Sequence, residues 1–425
     1  METIAVIGTG YVGLPLAVGL AKFYKVVAFD LNHDRIKQLR KYYDITGEVA
    51  SEELLNVQNN LLLTTDEQDL EACNFFIIAV PTPINASMQP DLQALKSASL
   101  TVGRRMPTGS MVVIESTVFP GASQNVCLPL LEMGGKVYEQ DFHLGYSPER
   151  VSPGDSSHSL RSVKKVVAGD CYESGERVRQ VYQRVVDAGI YVAPSIQVAE
   201  ACKLLENVQR DVNIALMNEV AKIFDTLGIS TSEVLSAAKT KWNFAPFQPG
   251  LVGGHCIAVD PYYLIAIADE NGLATPLLDS SRRVNESMSG FIAGKIFEAI
   301  SAQGISIGSA RVGILGASFK ENVPDLRNSK VFDLVSCLSI SGCEVLLSDP
   351  VCQAEEVFKH GFKLTDLEEL ADLDVLVLAV PHKDFLRPMN ELLKSLRTGG
   401  LFVDLKGVFS PCKEVMPRQI KYWSL

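Results

Sequence analysis

A glycine pattern near the N-terminus restricts what this chain can fold into more than any other feature of its sequence. Gly8, Gly10 and Gly13 separate an apolar, β-branched run at residues 3–7 from a helical pattern that continues to Lys22. In such a frame the first glycine makes a tight turn, the second lets a ligand approach the backbone, and the third lets the helix pack closely on the strand. The free N–H groups at the start of that helix bind phosphates. The pattern therefore predicts a Rossmann-type strand–turn–helix unit that holds a dinucleotide.

An acidic residue at the end of the next strand indicates which dinucleotide is bound. Residues 25–29 form the second strand pattern, and Asp30 follows directly. A carboxylate at this place accepts hydrogen bonds from ribose hydroxyls and repels a 2′-phosphate, which favours NAD over NADP. FAD remains an alternative ligand, and a glycine-rich turn that binds nothing remains an alternative interpretation.

The rest of the chain shows strand and helix patterns on either side of a helical middle. Near-continuous apolar strand patterns lie at residues 74–80, 111–115, 311–315, 343–348, 374–380 and 401–405. Such strands, separated by helices, indicate parallel sheets that are covered on both faces. Residues 196–228 carry a long helical pattern that Gly228 ends, and a second helical stretch runs from about Asp279 to Ala302.

Two short echoes indicate that the first and last thirds of the chain are related. Ala79-Val80-Pro81 ends a strand in the first third and Ala379-Val380-Pro381 ends one in the last, while Asp30 and Asp349 each close a second strand. We therefore expect an α/β fold of two Rossmann-like doubly wound domains joined by a central helical domain. The expected boundaries are 1–195 for the NAD-binding domain, 196–302 for the helical domain and 303–425 for the C-terminal domain.

The composition argues against several classes of function. The 425 residues carry a net charge of −11, which disfavours nucleic acid or an anionic membrane as the main partner. No apolar run approaches the roughly 20 residues that a membrane span needs, and Met1-Glu2-Thr3 lacks the basic start of a signal peptide. Nine cysteines without CxxC spacing indicate reduced thiols in the cytoplasm. The spacing of the histidines predicts no metal site.

A glycine-rich loop at residues 250–263 contains a candidate nucleophile. Cys256 follows a Gly-Gly pair and His255, in a segment too rich in glycine for a helix or a strand. A buried and inert thiol is the alternative, because that is how most cysteines occur. Asp260 directly precedes Pro261, so it is either a base that orients water or the cap of a helix.

The long helical pattern carries polar residues on one face. Lys203 and Asn207 are four residues apart, and Arg210 lies near the same face one turn later. The neighbouring residues are apolar, which predicts that this part of the helix is buried. A lysine in such surroundings either extends its ammonium group to solvent or pairs with another group.

Taken together, these motifs resemble one family over nearly the whole chain, the nucleotide-sugar 6-dehydrogenases that act on UDP-glucose, GDP-mannose and UDP-N-acetylhexosamines. The matching segments are GTGYVGLPLA at 8–17, VPTP at 80–83, EST at 115–117, SPER at 147–150, EACKLLEN at 200–207, GGHCIAVDPYYL at 253–264 and SFKENVPDLRNS at 318–329. The loop and the stretch at 241–244 look most similar to the branch that oxidises UDP-N-acetylglucosamine or its galacto epimer for surface polysaccharides.

The resemblance implies a role for each matching residue. Cys256 looks like the nucleophile, Lys203, Asn207 and Asp260 like its partners, Glu149 like the acid–base or water-positioning carboxylate, and Thr117 like the threonine near the catalytic water. The implied NAD contacts are Gly8, Gly10, Tyr11, Val12, Gly13, Asp30, Arg35, Pro81, Thr82, Thr117 and Arg327. The implied substrate contacts are Glu149, Arg150, Val151, Lys203, Asn207, Arg210, Gly253, His255, Phe319 and Lys320, with a UDP-sugar held largely by the C-terminal domain.

The implied reaction is a four-electron oxidation of the sugar C6 alcohol to a carboxylate, through a thiohemiacetal and a thioester on Cys256, in a homodimer joined by the central helices. UDP-glucose and UDP-N-acetylmannosamine remain alternative substrates. A two-electron hydroxy-acid dehydrogenase is a further alternative, although it needs neither the cysteine nor the last domain. A non-catalytic NAD-binding protein is another, although it has no chemical use for the set formed by Cys256, Lys203, Asn207, Glu149 and Asp260.

Overall fold

The computed structural model describes residues 2–151, 158–409 and 419–425. The chain divides into two compact units, the first comprising Met1–Glu206 and Tyr262–Leu273, the second Asn207–Pro261 and Ala274–Leu425. The three-part division at residues 195 and 302 stays a prediction. None of the helices in the described ranges combines the length and the apolar composition that crossing a bilayer requires.

The first unit is built on an eight-stranded sheet. Its strands are β1 (Thr3–Ile7), β2 (Lys25–Phe29), β3 (Leu61–Thr64), β4 (Phe75–Ile78), β5 (Ser110–Ile114), β6 (Phe142–Tyr146), β7 (Lys165–Gly169) and β8 (Ile190–Val192). The order is β3-β2-β1-β4-β5-β6-β7-β8, and every pair is parallel except β6 with β7. The first six positions are those of a dinucleotide-binding Rossmann sheet, which confirms the predicted fold of this part.

Helices connect these strands. They are α1 (Gly13–Ala21), α2 (His33–Leu39), α3 (Ser51–Val57), α4 (Gln93–Arg105), α5 (Leu128–Glu132) and α6 (Tyr172–Tyr182). The apolar residues of β1 and β4 are almost fully buried between them, as their uninterrupted apolar sequences predicted. The strand predicted at 74–80 is shorter, because the chain leaves the sheet at Ala79 to pass over Gly8.

The middle of the chain is helical. The long helix α7 (Ile196–Leu227) ends as predicted, with Gly228 in the left-handed conformation at φ +69°. It is followed by α8 (Thr231–Ala238), α9 (Asp260–Glu270), α10 (Pro276–Glu286) and α11 (Met288–Ala302). The single stretch expected from Asp279 to Ala302 is therefore two helices. They separate at Ser287, whose hydroxyl donates a 2.7 Å hydrogen bond to the Val284 carbonyl.

The second sheet belongs to the C-terminal part of the second unit. Its strands are β9 (Arg311–Leu315), β10 (Glu344–Ser348), β11 (Leu373–Leu378), β12 (Leu396–Asp404) and β13 (Lys421–Ser424), in the parallel order β10-β9-β11-β12-β13. Three helices complete it: α12 (Lys330–Ile340), α13 (Ala354–Lys359) and α14 (Met389–Leu392).

Two apolar clusters cover the two faces of this second sheet. Along β11, Val375 and Val377 belong to one cluster, whereas Leu376 and Leu378 belong to the other. This alternation follows from the period of two in a strand. The C-terminal sheet is thus doubly wound, as its continuous apolar strands predicted.

Candidate active site

The glycine loop after β1 has the geometry that its sequence predicted. Gly8 has φ +96°, and a Cβ atom there would lie 2.6 Å from the Ala79 carbonyl oxygen. A Cβ on Gly13 would lie 1.9 Å from the Gly8 oxygen, so this glycine is required by the packing of α1 on the turn. At Gly10, by contrast, no heavy atom of the described residues would lie within 4 Å of an added Cβ. The open space at Gly10 fits a bound pyrophosphate, which needs close approach to the backbone.

Asp30 is held at the carboxyl end of β2, beside this loop. Its Oδ2 accepts hydrogen bonds from the amide and the hydroxyl of Thr9, both at 2.8 Å, and its Oδ1 accepts one from the Asn32 amide at 2.9 Å. These hydrogen bonds therefore orient the Asp30 carboxylate at the sheet edge where a Rossmann fold places the adenosine ribose. The Asp30 carboxylate and the glycine loop together fit a bound NAD.

Arg35 is buried under the loop. Its Nε and Nη2 donate to the Thr9 carbonyl at 3.0 and 2.8 Å, and its Nη1 lies 2.8 Å from Asp44 Oδ1. Burial raises the pKa of Asp44, but hydrogen bonds from Thr46 and Arg35 outweigh it and hold that pKa below its ordinary value. Within the first unit Arg35 thus shapes the turn that contains Gly8 and Gly10. Tyr11 and Val12, at the start of α1, are half-buried.

Two further cofactor candidates follow the neighbouring strands. Pro81 is exposed and Thr82 half-buried after β4, and Thr117 is half-buried after β5. The hydroxyl of Tyr263 donates a 2.8 Å hydrogen bond to the Thr82 carbonyl. Sequence reasoning missed Tyr263, although it stands within the matching segment around Asp260.

A buried ion pair lies under the segment that contains Thr117. Glu115 contacts the ammonium group of Lys165 and accepts a hydrogen bond of 2.5 Å from the hydroxyl of Tyr182. Burial and the negative charge of Glu115 raise the pKa of Tyr182 well above its ordinary value, so this hydroxyl remains a donor. The pair fixes the backbone on which Thr117 is placed.

Lys203 and Glu149 meet within the first unit. Lys203 is only 5% exposed, and its Nζ lies 3.6 Å from Glu149 Oε2. The other carboxylate oxygen of Glu149 accepts a hydrogen bond from the Val151 amide. Of the two interpretations open for this lysine, the structure supports pairing over extension to solvent.

Arg150 forms a different pair beside this one. Its Nη2 and Nε donate to the carboxylate of Glu206 at 2.6 and 3.2 Å, and its Nη1 donates to the Lys164 carbonyl at 2.6 Å. The guanidinium group therefore ties the segment after β6 to α7. This contact holds Glu149, the preceding residue, close to the helix.

In the second unit, Asn207 and Asp260 are in direct contact. The side-chain amide of Asn207 donates to Asp260 Oδ2 at 2.5 Å, and both side chains are buried. Cys256 is half-buried in the turn before α9, and its carbonyl accepts hydrogen bonds from the amides of Val259 and Asp260 at 3.0 and 2.8 Å. Arg210 is exposed on α7. Asp260 is the first residue of α9, and its role as a base stays a prediction.

The glycines before Cys256 pack against the segment at 318–329. A Cβ on Gly253 would lie 2.6 Å from the Asn328 carbonyl oxygen, and one on Gly254 would lie 2.9 Å from the ring of Phe319. The ring of His255 also meets that of Phe319, edge to face at 6.2 Å. The motif that contains Cys256 and the motif at 318–329 are therefore neighbours in space.

Asp325 organises the charged groups of that segment. Its carboxylate accepts hydrogen bonds from the guanidinium group of Arg327 at 2.5 to 3.1 Å and from the Arg327 amide at 3.0 Å. His255 Nδ1 lies 3.8 Å from the same carboxylate. Lys320 is half-buried after β9. Sequence reasoning missed Asp325, which stands two residues from Arg327 in the same motif.

The C-terminal sheet repeats the backbone of the dinucleotide loop without its ligand site. Gly316 has φ +94°, and Asp349 Oδ2 accepts the Ala317 amide at 2.7 Å, as Asp30 accepts the Thr9 amide. Here, however, the buried ring of His382 fills the space beside the acid, with Nε2 at 3.1 Å from Asp349 Oδ2. The next helix, α12, begins fourteen residues after Gly316. The carboxylate of Asp349 is thus bonded to groups of the protein itself.

A group of possible metal ligands lies elsewhere in the first unit. One donor atom each from His143, Asp170 and Cys171 falls within 4.8 Å of the others. Asp170 already accepts hydrogen bonds from His143 Nδ1 and from the Leu144 amide, and the sulfur of Cys171 caps α6. These contacts account for the three side chains. The histidine spacing in the sequence had indicated no such group.

Comparison with known proteins agrees with the geometry. Models of the UDP-glucose/GDP-mannose dehydrogenase family match in three parts: the NAD binding domain over residues 2–186, the central domain over 197–287 and the UDP binding domain over 313–411.

Individual relatives match over nearly the whole length. Protein CapL of Staphylococcus aureus is 47% identical over 96% of both chains. The UDP-N-acetyl-D-glucosamine 6-dehydrogenase of Pseudomonas aeruginosa is 45% identical over 95% of this chain and 96% of its own. The solved UDP-D-ManNAc dehydrogenase of Pyrococcus horikoshii superposes with a TM-score of 0.89 at 31% identity, covering 99% of this chain and 98% of that one. With its NAD-binding sheet, its central helices and its UDP-binding sheet, the chain belongs to the UDP-glucose/GDP-mannose dehydrogenase family, and it is an NAD-dependent UDP-sugar dehydrogenase.

Proposed function

We propose that the chain oxidises the C6 alcohol of a UDP-N-acetylhexosamine to the uronic acid, with UDP-N-acetylglucosamine favoured over its galacto epimer, for surface polysaccharide biosynthesis. The observation that carries the proposal is the buried contact of Asn207 with Asp260, four residues after Cys256. A two-electron dehydrogenase needs no such cysteine. An enzyme that must make and break a covalent acyl bond needs a thiol with polar groups beside it.

Each step of the proposed reaction uses side chains of this protein. When bound, NAD accepts one hydride ion in each of the two oxidations. After the first oxidation the Cys256 thiolate adds to the aldehyde carbon and forms a thiohemiacetal, which the second oxidation converts to a thioester. Water then attacks the thioester carbonyl, the C–S bond breaks, and the carboxylate leaves while the thiolate is restored.

The polar residues stabilise the charges and protons of these steps. The ammonium group of Lys203 and the amide of Asn207 are donors for the oxyanions that form at C6. Glu149 accepts the proton of the attacking water. Its contact with Lys203 keeps its carboxylate beside the face of α7 that carries this lysine. Asp260 orients Asn207 through their hydrogen bond and accepts the proton that the C6 hydroxyl loses in the first oxidation. We assign Thr117 to contacts with the catalytic water and with the nicotinamide ring.

The relatives support the choice of sugar. Identity is 45% to the UDP-N-acetyl-D-glucosamine 6-dehydrogenase and 31% to the UDP-D-ManNAc dehydrogenase. The loop sequence Gly-Gly-His-Cys, with His255 before the nucleophile, agrees with an N-acetylhexosamine enzyme. Lys320 and Phe319, at the carboxyl end of β9, are assigned to the sugar nucleotide. Arg327 is assigned to NAD.

We further propose a homodimer that forms through α7. Five large apolar side chains of this helix are exposed: Val198, Leu205, Leu216, Ile223 and Leu227. Their spacings of 7, 11, 7 and 4 residues place them on one face of the helix. When a second copy of the chain covers this stripe, apolar surface area is removed from water. The free thiols among the described cysteines agree with the reducing cytoplasm as the place of action.

Replacing the nucleophile tests the proposal. Cys256→Ser keeps the size of the side chain and loses the thiolate, because a free cysteine titrates at about 8.5 whereas an alkoxide is scarce at neutral pH. Steady-state NADH formation from UDP-N-acetylglucosamine should fall by several orders of magnitude. A sugar adduct on the introduced serine should appear as a mass increase of the intact protein.

The parent protein and a matched control complete the test. The parent should release two NADH per UDP-sugar with no free aldehyde, which an aldehyde-trapping reagent can check. Cys337→Ser, at another half-buried cysteine on α12, should keep parental turnover. One NADH per sugar in the parent, or full turnover by Cys256→Ser, would overturn the covalent mechanism.

A further inference from the structure

We propose that Asn218 is a positioning residue for Cys256: with Asn207 it fixes both ends of the loop 250–260 against one rigid helix. The inference rests on the proposed function, because it concerns how that nucleophile is held. Asn218 lies outside every segment that carries the family resemblance. Its environment in the second unit is therefore the basis for the assignment.

Asn218 holds the start of the loop through both backbone polar groups of Gly250. It is 0% exposed, and its Oδ1 accepts the Gly250 amide at 2.7 Å while its Nδ2 donates to the Gly250 carbonyl at 3.0 Å. Two antiparallel hydrogen bonds between an amide side chain and one residue's backbone fix both the distance and the orientation of that residue. A single bond would leave it free to rotate.

A second layer fixes which way the amide of Asn218 faces. Its Nδ2 also donates to Asn285 Oδ1 at 2.9 Å, and Asn285 in turn donates to the carboxylate and the carbonyl of Asp211 at 2.7 and 3.1 Å. Asp211 is held by the guanidinium group of Arg282 at 2.5 Å. Because a carboxylate only accepts here, the donor and acceptor ends of both amides are determined, and Oδ1 of Asn218 must face Gly250.

The end of the loop is held from the same helix. Asn207 donates to Asp260, and it precedes Asn218 by eleven residues, which is close to three helical turns, so the two amides lie on one face of α7. At a rise of about 1.5 Å per residue they are about 16 Å apart. The helix thus sets the separation between the two ends of the segment that contains Cys256.

One more contact holds the middle of the loop. The side-chain amide of Asn328 donates to the Gly254 carbonyl at 3.1 Å, two residues before Cys256. From Gly250 to Val259 the chain forms no regular strand or helix, so these side chains take the place that backbone ladders occupy elsewhere. Loss of the Gly250 anchor should let the thiol shift while the fold persists.

The test compares two substitutions at 218 with a control on the same helix. Asn218→Asp keeps the acceptor for the Gly250 amide and loses both donated bonds, and Asn218→Leu removes the whole contact. Asn213→Ala is the control, because the side-chain amide of Asn213 donates to its own helix, at 2.6 Å to the Gln209 carbonyl. Each protein is measured for its melting temperature, kcat, KM for NAD and for UDP-N-acetylglucosamine, and the rate at which iodoacetamide alkylates Cys256.

We expect kcat of the folded Asn218→Asp protein to fall by about 100-fold, because a nucleophile displaced by about 1 Å loses that much. The KM for NAD should not change, since the anchor is remote from the glycine loop in sequence and function. The alkylation rate of Cys256 should change in both Asn218 variants and not in Asn213→Ala. A lowered melting temperature with parental kcat and parental alkylation would overturn the inference.

The alkylation rate keeps this test separate from the proposed function. It needs no turnover, so it reports the position of the thiol even if the parent releases one NADH per sugar. If the parent fails the NADH count and Asn218→Asp still alters alkylation, the mechanism is wrong and the loop anchor stands. If the parent passes and both Asn218 variants alkylate at the parental rate, the anchor is wrong and the mechanism stands.

Discussion

The side-chain amide of Asn207 donates a 2.5 Å hydrogen bond to Oδ2 of Asp260, and the two residues are only 6% and 1% exposed. Burial of a carboxyl group costs free energy, and proteins accept that cost where the group has a function. The contact therefore motivates the first prediction.

Asp260→Asn should lower kcat by about 100-fold or more, the contribution expected of a proton-transfer group, with little change in melting temperature. The substituted amide keeps the size of the carboxyl group and can still accept from Asn207 through its oxygen. Steady-state NADH formation and a thermal melt measure the two effects. A variant that melts much earlier but turns over normally would show that Asp260 serves only to start α9.

Lys203→Met should reduce kcat by about 100- to 1,000-fold, the loss typical of removing one oxyanion donor. Methionine retains most of the buried apolar stem, so stability should change little. Gln209→Ala, at an exposed position on the same helix, should leave kcat unchanged. Normal turnover by Lys203→Met would assign the lysine to its contact with Glu149 alone.

Asp30→Ala should narrow the preference for NAD over NADP, because the carboxylate that repels a 2′-phosphate is removed. The ratio of kcat/KM for the two cofactors measures the effect. Loss of the acceptor for Thr9 should also loosen the glycine loop and raise KM for NAD. Equal use of NAD and NADP by the parent protein would contradict the role of Asp30.

Asp44→Asn should reduce the free energy of unfolding at neutral pH by about 3 kcal/mol, since it leaves the buried guanidinium group of Arg35 without its carboxylate. The pKa of Asp44 in the folded protein lies below its ordinary value of 3.8. Its contribution to stability is therefore complete above that value and is lost as the pH falls through the folded-state pKa. Urea unfolding of parent and variant along an acid series should show the difference shrinking below 3.8. A difference independent of pH would contradict the ion pair.

His382→Leu should raise KM for the UDP-sugar and leave KM for NAD unchanged. The ring of His382 accepts the Asn322 amide at 2.8 Å and meets Ser318 at 3.2 Å, so it fixes the segment on either side of Lys320. His382→Asn keeps an acceptor for Asn322 and should lie between the parent and the leucine variant. Loss of the buried partners should cost about 1–3 kcal/mol of stability, which a melt can separate from binding. An effect on NAD alone would contradict the assignment of Lys320.

Local patterns predicted the parts of this protein whose residues are close in sequence. The glycine loop with Asp30, the long α7 ending at Gly228 and the strand at 311–315 were predicted because turn geometry, helix periodicity and apolar runs are local properties. The strands β3 and β8, at the two edges of the first sheet, were missed since they are short and partly exposed. The strands β6, β7 and β13 were also missed, because glycine and polar residues shorten their apolar runs. The break at Ser287 was missed because neither glycine nor proline stands at that position.

The contacts that complete the candidate site could not be predicted in this way. Asn218 meets Gly250 across 32 residues of sequence, and His382 meets Asp349 across 33. No spacing rule connects such pairs, because the fold alone brings them together. Tyr263 and Asp325 stood inside recognised motifs, so closer attention to every polar residue of those motifs would have found them.

His382 beside Asp349 has a consequence for the timing of the proposed reaction. Of the two sheets that the structure describes, the first has an open glycine loop that fits NAD. In the second, the side chain of His382 occupies the space beside the equivalent acid, Asp349. The two oxidations of the proposed reaction therefore use the same NAD site in turn. The first NADH must leave and a second NAD must bind while the sugar is still at the aldehyde stage. In the proposed reaction, the covalent bond to Cys256 retains the reactive aldehyde during this change of cofactor and keeps it from diffusing away.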